Sequence, residues 1–435
     1  MRHERGRPPE APFPKSEAPR QWRISAVGQR MNAGELPLAQ AFADLAAMLP
    51  SLRDAESVPA ATAQGRVLAE NVVSIVDSPS FDNSAMDGYA LRFDDLRPGH
   101  WLHEIGRAYA GHPFDGAVTV GTCVRIMTGA PLPVGADTVV MLEDVAVDGG
   151  TVKVLRVPAS GANIRRRGEH VARGSIAIPA GRKLRDADIG LAAAVGATTL
   201  AVRRRLRVGI LSTGDELADP PQPLGPGDSF DANRPFLCSA AHRCGFEVRD
   251  LGITGDSPQA FSAARRRAQE LGVDALLVSG GAAQGDADIV RATPGVRFVP
   301  LALRPGRGIV FARFDDGESP LTMFGLPGNA VAAYITFHLL VRPLLLRLSG
   351  GDATVPFHLP LPLAGPIRLR GGRIDYRRAR LVRDGAGRLR AALLREQGSA
   401  MLRTVTDADA LVALGPQPSY ADGDLVETVP LALFD

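Results

Sequence analysis

Five carboxylates set the chemical question. Asp215, Glu216, Asp256, Asp286 and Asp288 all fall at or just after short apolar runs, where a strand should end and a helix begin. Carboxylates at that density suit a hard cation such as Mg2+, which combines one or two side-chain oxygens with substrate phosphate oxygens. Further along is a cationic turn, Arg304-Pro305-Gly306-Arg307. A guanidinium beside a glycine can grip an oxyanion through two parallel N–H bonds. A metal that polarises a phosphoanhydride, with arginines holding the anions, is the equipment of phosphoryl transfer or hydrolysis. Taken one at a time, each acid also reads as a helix cap and each arginine as a surface charge. No Walker loop, HExxH, GxSxG or paired Cys-x-x-Cys offers another chemistry.

These side chains need elements to hold them. Ala275-Leu-Leu-Val278 is apolar without a break, the pattern of a parallel strand covered on both faces. It runs into Ser279-Gly280-Gly281, where glycines allow a sharp turn and leave amide N–H groups bare for an anion. The same order recurs at Leu206–Leu211 before Ser212-Thr-Gly-Asp-Glu216, and at Thr322–Leu326 before Pro327-Gly328-Asn329. Helices are expected over about 233–243, 257–271 and 330–348, and another after Asp286; strands are expected at 246–253, 296–303 and 309–314. The alternation predicts a doubly wound, mostly parallel α/β sheet whose glycine and acid turns gather at its carboxyl edge, where such sheets take ligands.

The chain has 435 residues, 45% of them hydrophobic, enough for several domains. Its net charge of +3 argues against a general nucleic-acid binder, more so because residues 1–30 hold seven basic and three acidic residues. That proline-rich segment reads as a disordered basic tail, residues 1–32. No apolar run comes close to the roughly twenty residues that span a bilayer, and no secretory leader is visible. Three cysteines without finger spacing predict free thiols and a cytoplasmic location.

Leu38, Phe42, Leu45 and Leu49 predict an amphipathic helix closed by Pro50. Ser80–Ala90 is dense in small polar groups and reads as a capped turn or a binding loop. Short strand-like runs at 117–120, 124–127, 138–142 and 152–157 predict a β-rich unit, and 184–197 a helix of small residues. Arg165-Arg166-Arg167 reads as a solvated edge or a phosphate contact. Residues 350–435, rich in proline, glycine and arginine, predict a small β domain containing the basic stretch Arg373–Arg380.

Six motifs in order, Phe81–Ala90, Arg125–Ala130, Pro133–Asp137, Ser212–Leu217, Ser279–Gly281 with Gly285–Asp288, and Leu326–Asn329, resemble the molybdopterin molybdenumtransferase family, the molybdate-inserting enzymes that include the E domain of gephyrin-like proteins. Gln397-Gly-Ser399 also fits, and the resemblance covers about residues 33–435. It implies a linker domain in two pieces (33–75 and 173–204), a β-rich domain inserted between them (76–172), an α/β molybdopterin-binding domain (205–349) and a C-terminal β-barrel domain (350–435). It also implies an elongated homodimer whose cleft is shared between subunits. The implied substrates are adenylylated molybdopterin and molybdate, with Mg2+-dependent release of AMP. A molybdopterin adenylyltransferase or a molybdoenzyme would be a further partner. Nucleic acid and membrane are not implied.

Position by position, the resemblance assigns Asp87, Thr128, Glu216, Asp256 and Asp288 to catalysis, with Asp256 and Asp288 on the metal. Asp87 and Thr128 would reach the cleft from the partner subunit. Ser279, Gly280, Gly281, Asp286, Arg304, Arg307, Gly328, Asn329, Arg378 and Ser399 would hold the pterin and its anions. Several positions depart from the family pattern. His170 stands for Asp, Ala283-Gln284 for Ser-Val, and Pro300 for Lys. Arg304 and Arg307 stand for Lys, Gly308 for Pro, and Ala330 and Ala332 for Pro and Ser. Arg and Lys differ in geometry, so these exchanges imply an oxyanion site arranged differently. They leave as an alternative a catalytically weak relative that carries the cofactor or helps mature a molybdoenzyme.

Overall fold

The computed structural model describes residues 34–434 apart from 51–53, 98, 281–288, 352, 354, 370–371 and 416. Strand Ala55–Pro59 pairs antiparallel with Thr199–Arg203, and Val72–Val73 with Ile176–Ile178. Residues more than a hundred positions apart thus share one small core, built on Leu68, Val72, Ile178, Ala192, Val195 and Val202. Between these halves a six-stranded sheet runs in the order 138–141, 88–91, 122–126, 101–108, 151–154, 145–148. It contains three of the expected strands, somewhat shifted. The run 117–120 is not one of them: Ala117 makes a single bridge to Val134. The strand Trp101–Ala108 was not expected. Its exposed and buried positions alternate, but His103, Glu104, Gly106 and Arg107 mask the period in the sequence.

The α/β domain has the strand order 247–254, 207–213, 275–279, 321–326, 308–314, 297–300. Its first four strands are parallel, and the strand 308–314 runs antiparallel to both of its neighbours. The parallel strand Ala275–Ser279 is buried at every position, which explains its unbroken apolar run. Of the helix expected after Asp286, residues 281–288 lie outside the described residues, and 289–295 form turns rather than a helix.

Ala330–Leu348 is one continuous helical segment, and its middle, Phe337–Val341, is a π-helical turn. At 19 residues it is long and apolar enough to cross a membrane, contrary to the expectation that no such run exists. Most of it is buried inside the protein, so it serves as the domain's central helix.

The helix Leu38–Met48, expected in the linker domain, lies against the α/β domain instead. Ala41 and Leu45 share a core with Leu237, Leu340, Leu344 and Leu348. That core also includes Leu411, Val429 and Phe434 of the C-terminal domain. The C-terminal domain is a closed barrel of five strands, 374–383, 389–393, 359–364, 425–430 and 410–414, in which Ile374–Arg383 pairs with strands on both sides. One more pairing fixes the site. Leu303–Arg304 runs parallel to the start of that strand, with Leu303 opposite Ile374 and Arg304 opposite Asp375. The cationic turn is thereby stitched to the barrel.

Candidate functional site

A cavity of about 840 Å3 opens between the α/β domain and the barrel. The α/β domain supplies Arg304, Gly306, Arg307, Gly328, Asn329 and Ala332; the barrel domain supplies Arg373, Asp375, Arg377, Gln397 and Ser399. The central helix starts at this wall. The Ser399 carbonyl accepts from the Val331 amide at 3.1 Å, so the barrel domain partly caps the helix. The helix N-terminus favours an anion.

The charges divide unequally. Arg373 forms a two-pronged ion pair with Glu35, and Arg377 bonds Asp375 at 2.8 and 2.7 Å. Arg304 and Arg307 make no ion pair among the described residues. Two of the four arginines are therefore neutralised, and two remain for an anion. Gly306 sits between them at a φ of +106°, where a Cβ would lie 2.8 Å from Thr336 Oγ1. The turn needs glycine for its dihedral and for its closeness to the helix.

Arg378 is not in the cavity wall. It is 1% exposed; its Nε donates to Thr404 Oγ1 at 3.0 Å and Nη2 to the Gly398 carbonyl at 3.0 Å. Burial, then the charge of Arg377, lowers its pKa to about 10. The guanidinium braces the loop that carries Gln397 and Ser399. Sequence reasoning passed over Arg373, Asp375 and Arg377 as individual site residues, although the basic density of the stretch was visible. It also missed Glu35, whose role depends on a contact 338 positions away.

At the carboxyl edge of the sheet, Ser279 is buried and its Oγ accepts from Asn233 Nδ2 at 2.7 Å. Gly280 has φ +93°, and a Cβ there would lie 2.4 Å from the Thr213 carbonyl. The strand-end loops are packed that tightly. Nearby, the Asp256 amide donates to Asp215 Oδ1 at 3.0 Å. The Asp256 carboxyl is held above the ordinary carboxylate range by desolvation and by the negative charges of Asp215 and Glu216. A cation would relieve that repulsion, and the donors are hard oxygens of the right type. Among the described residues no three such side chains converge on one point. Gly281, Asp286 and Asp288 lie outside the described residues, as do Ala283 and Gln284.

Asp87 and Thr128 do meet. Asp87 Oδ1 accepts from the Thr128 amide and hydroxyl, both at 2.8 Å, and these bonds hold its carboxyl below the usual range. The pair is exposed on the β-rich domain, which contributes nothing to the cavity lining. Two arginines of the run 165–167 are engaged with carboxylates: Arg166 pairs with Asp82 and Arg167 with Asp77, each at 2.7 Å. His170 is exposed.

Three regions of the chain match known families. Residues 36–196 match the MoeA N-terminal region (domain I and II), 209–347 a probable molybdopterin binding domain, and 360–431 the MoeA C-terminal region (domain IV). The molybdopterin molybdenumtransferase of Haemophilus influenzae is 34% identical over 406 residues, covering 92% of this chain and 99% of its own. The chain belongs to the molybdopterin molybdenumtransferase family. A second molybdopterin molybdenumtransferase, from Nostoc, is 35% identical over 71% of this chain and 72% of its own. The MoeA protein of Pyrococcus horikoshii has a solved structure that is 26% identical, with a TM-score of 0.76 over 91% of this chain and 100% of its own. As a molybdopterin molybdenumtransferase, the chain is an enzyme of molybdenum cofactor biosynthesis with the multidomain fold the sequence predicted.

Proposed function

We propose that this enzyme takes adenylylated molybdopterin and molybdate, releases AMP and leaves molybdenum on the dithiolene. One observation carries the reading: Arg304 and Arg307, without an ion pair among the described residues, share a cavity with a helix N-terminus and with Gly328 of a strand-end loop. Molybdate, a tetrahedral dianion, suits the two free guanidinium groups. The pterin and its phosphates suit Ser279, Gly280, Gly328 and Asn329 at the sheet edge. Asp256, with Asp288, would hold Mg2+, which when bound neutralises phosphate charge and polarises the anhydride. The chain's own task is to fix the two anions side by side, with Asp375 at the arginine end held by Arg377.

Asp87 and Thr128 enter through a second copy of the chain. In this reading the homodimer completes the cleft, and the bonded pair presents a fixed carboxylate to the substrate.

The test is reconstitution. Purified protein is mixed with adenylylated molybdopterin, molybdate and Mg2+, and AMP is followed together with active cofactor. Molybdate-dependent AMP release is the expected result. Tight binding without AMP release would move the chain to the carrier role.

A further inference from the structure

Asn233 opens the helix Asn233–Arg243 and is 7% exposed. A primary amide has two N–H bonds, and Nδ2 contacts two different loops: Ser279 Oγ at 2.7 Å and the Gly328 carbonyl at 2.7 Å. The Gly328 carbonyl can only accept, which fixes the orientation of the amide. These loops end two neighbouring parallel strands, Ala275–Ser279 and Leu321–Leu326. The strands pair up to Ser279 and Leu326, and a backbone bond from Gly280 N to Leu326 O, at 3.3 Å, continues the link just beyond.

The residues around Asn233 hold it still. Asp231 Oδ1 accepts from the amides of Asn233 and Arg234, at 3.0 and 3.1 Å. Arg234 is itself caged: it bonds Asp231 at 3.2 Å and Asp250 at 2.5 Å, and it also bonds Asp219. One cation thus binds three carboxylates from three segments and anchors the helix start beside Asn233.

We propose that Asn233 is a positioning residue: it ties the strand end at Ser279 to the Gly328 loop and sets the width of the seat for the pterin and its phosphates. The tie itself is a matter of geometry; its effect on substrate rests on the reading of those loops given above. The Arg304–Arg307 turn lies outside this tie, so the two substrates should respond differently.

The variants are Asn233→Asp, which keeps the shape and loses both donors, and Asn233→Ala; Ser279→Ala removes one acceptor only. Amide hydrogen exchange is measured on peptides covering 276–280 and 326–331 of the full-length protein. Both should exchange roughly tenfold faster in the Asn233 variants, with the rest of the sheet unchanged. Binding is then titrated separately with adenylylated molybdopterin and with molybdate. The first should weaken roughly tenfold and the second should not. Unchanged exchange at either loop in Asn233→Asp overturns the tie, and equal weakening of both ligands reduces Asn233 to a residue of general stability. Faster exchange in a protein whose wild type binds no adenylylated molybdopterin would leave the tie standing and remove the proposed substrate.

Discussion

Arg377 and Arg378 are consecutive on one strand and face opposite sides of it, as strand geometry requires. Arg377 faces the cavity with Asp375 beside it; Arg378 faces inward to Thr404 and Gly398. Their substitutions should therefore separate. Arg378→Ala should lower the unfolding free energy by about 1–3 kcal/mol for the partners left unmet, and the midpoint with it. Arg377→Ala should leave the midpoint nearly unchanged and weaken oxyanion binding. Arg304→Ala and Arg307→Ala should each weaken molybdate binding more, by roughly ten- to a hundredfold, the cost of one charged hydrogen-bonding partner. Equilibrium binding and a denaturation curve on each variant check all four. If Arg304→Ala and Arg307→Ala bind molybdate like the wild type, the cationic turn is not the oxyanion site.

The central helix carries its own liability. His338 lies in the π-helical turn, stacked on Phe434 at 4.4 Å and against Tyr334 at 4.4 Å, and both ring nitrogens are buried without a partner. Burial, helped by the charges of Arg342 and Arg243, lowers its pKa to about 3 from 6.5. The unfolded chain therefore binds a proton between those values that the folded chain refuses. The stabilising contribution is complete above about pH 6.5 and is lost as pH falls toward 3. Thermal unfolding midpoints should drop over that window, and the drop should shrink in His338→Leu. An equal drop in the variant would place the acid sensitivity elsewhere. The ring also joins the helix to the C-terminal turn Leu431–Phe434, so acid should loosen the contact between the α/β domain and the barrel first. The wide π turn seats a ring among three aromatic neighbours, and no apolar periodicity announces it.

At the scale of the molecule, the cavity wall is drawn from two domains and leaves out the β-rich one. Asp87 and Thr128 form a finished, charged pair on that excluded domain. If a second copy brings the pair to the cavity, two inactive variants should repair each other. Asp87→Ala and Asp256→Asn, each inactive alone, should recover part of the AMP release when mixed under exchange of subunits, because one cleft of the mixed dimer then holds both native groups. Recovery should fail if both substitutions are placed in one chain and mixed with neither native partner. No recovery on mixing would mean that Asp87 does not work across a subunit boundary.

Much of this protein is local information, and the sequence contains it. Ala275–Val278 is apolar at every position because a central parallel strand is buried on both faces, and that can be read without a structure. Glycine turns at strand ends, the order of alternating strands and helices and the six motifs likewise depend on neighbours a few positions away. Other features depend on residues far apart. Trp101–Ala108 becomes a strand because its neighbours in the sheet accept it, despite its polar composition. Glu35 neutralises Arg373 across almost the full length of the chain, and Leu38–Met48 joins the α/β core rather than the linker. Which of four arginines are free for an anion, which side of a strand Arg378 takes, and where Asn233 sends its two N–H bonds are set by burial and by carboxylates from distant segments. Charge and residue type are properties of a position in the sequence; neutralisation and desolvation are properties of a place in the fold.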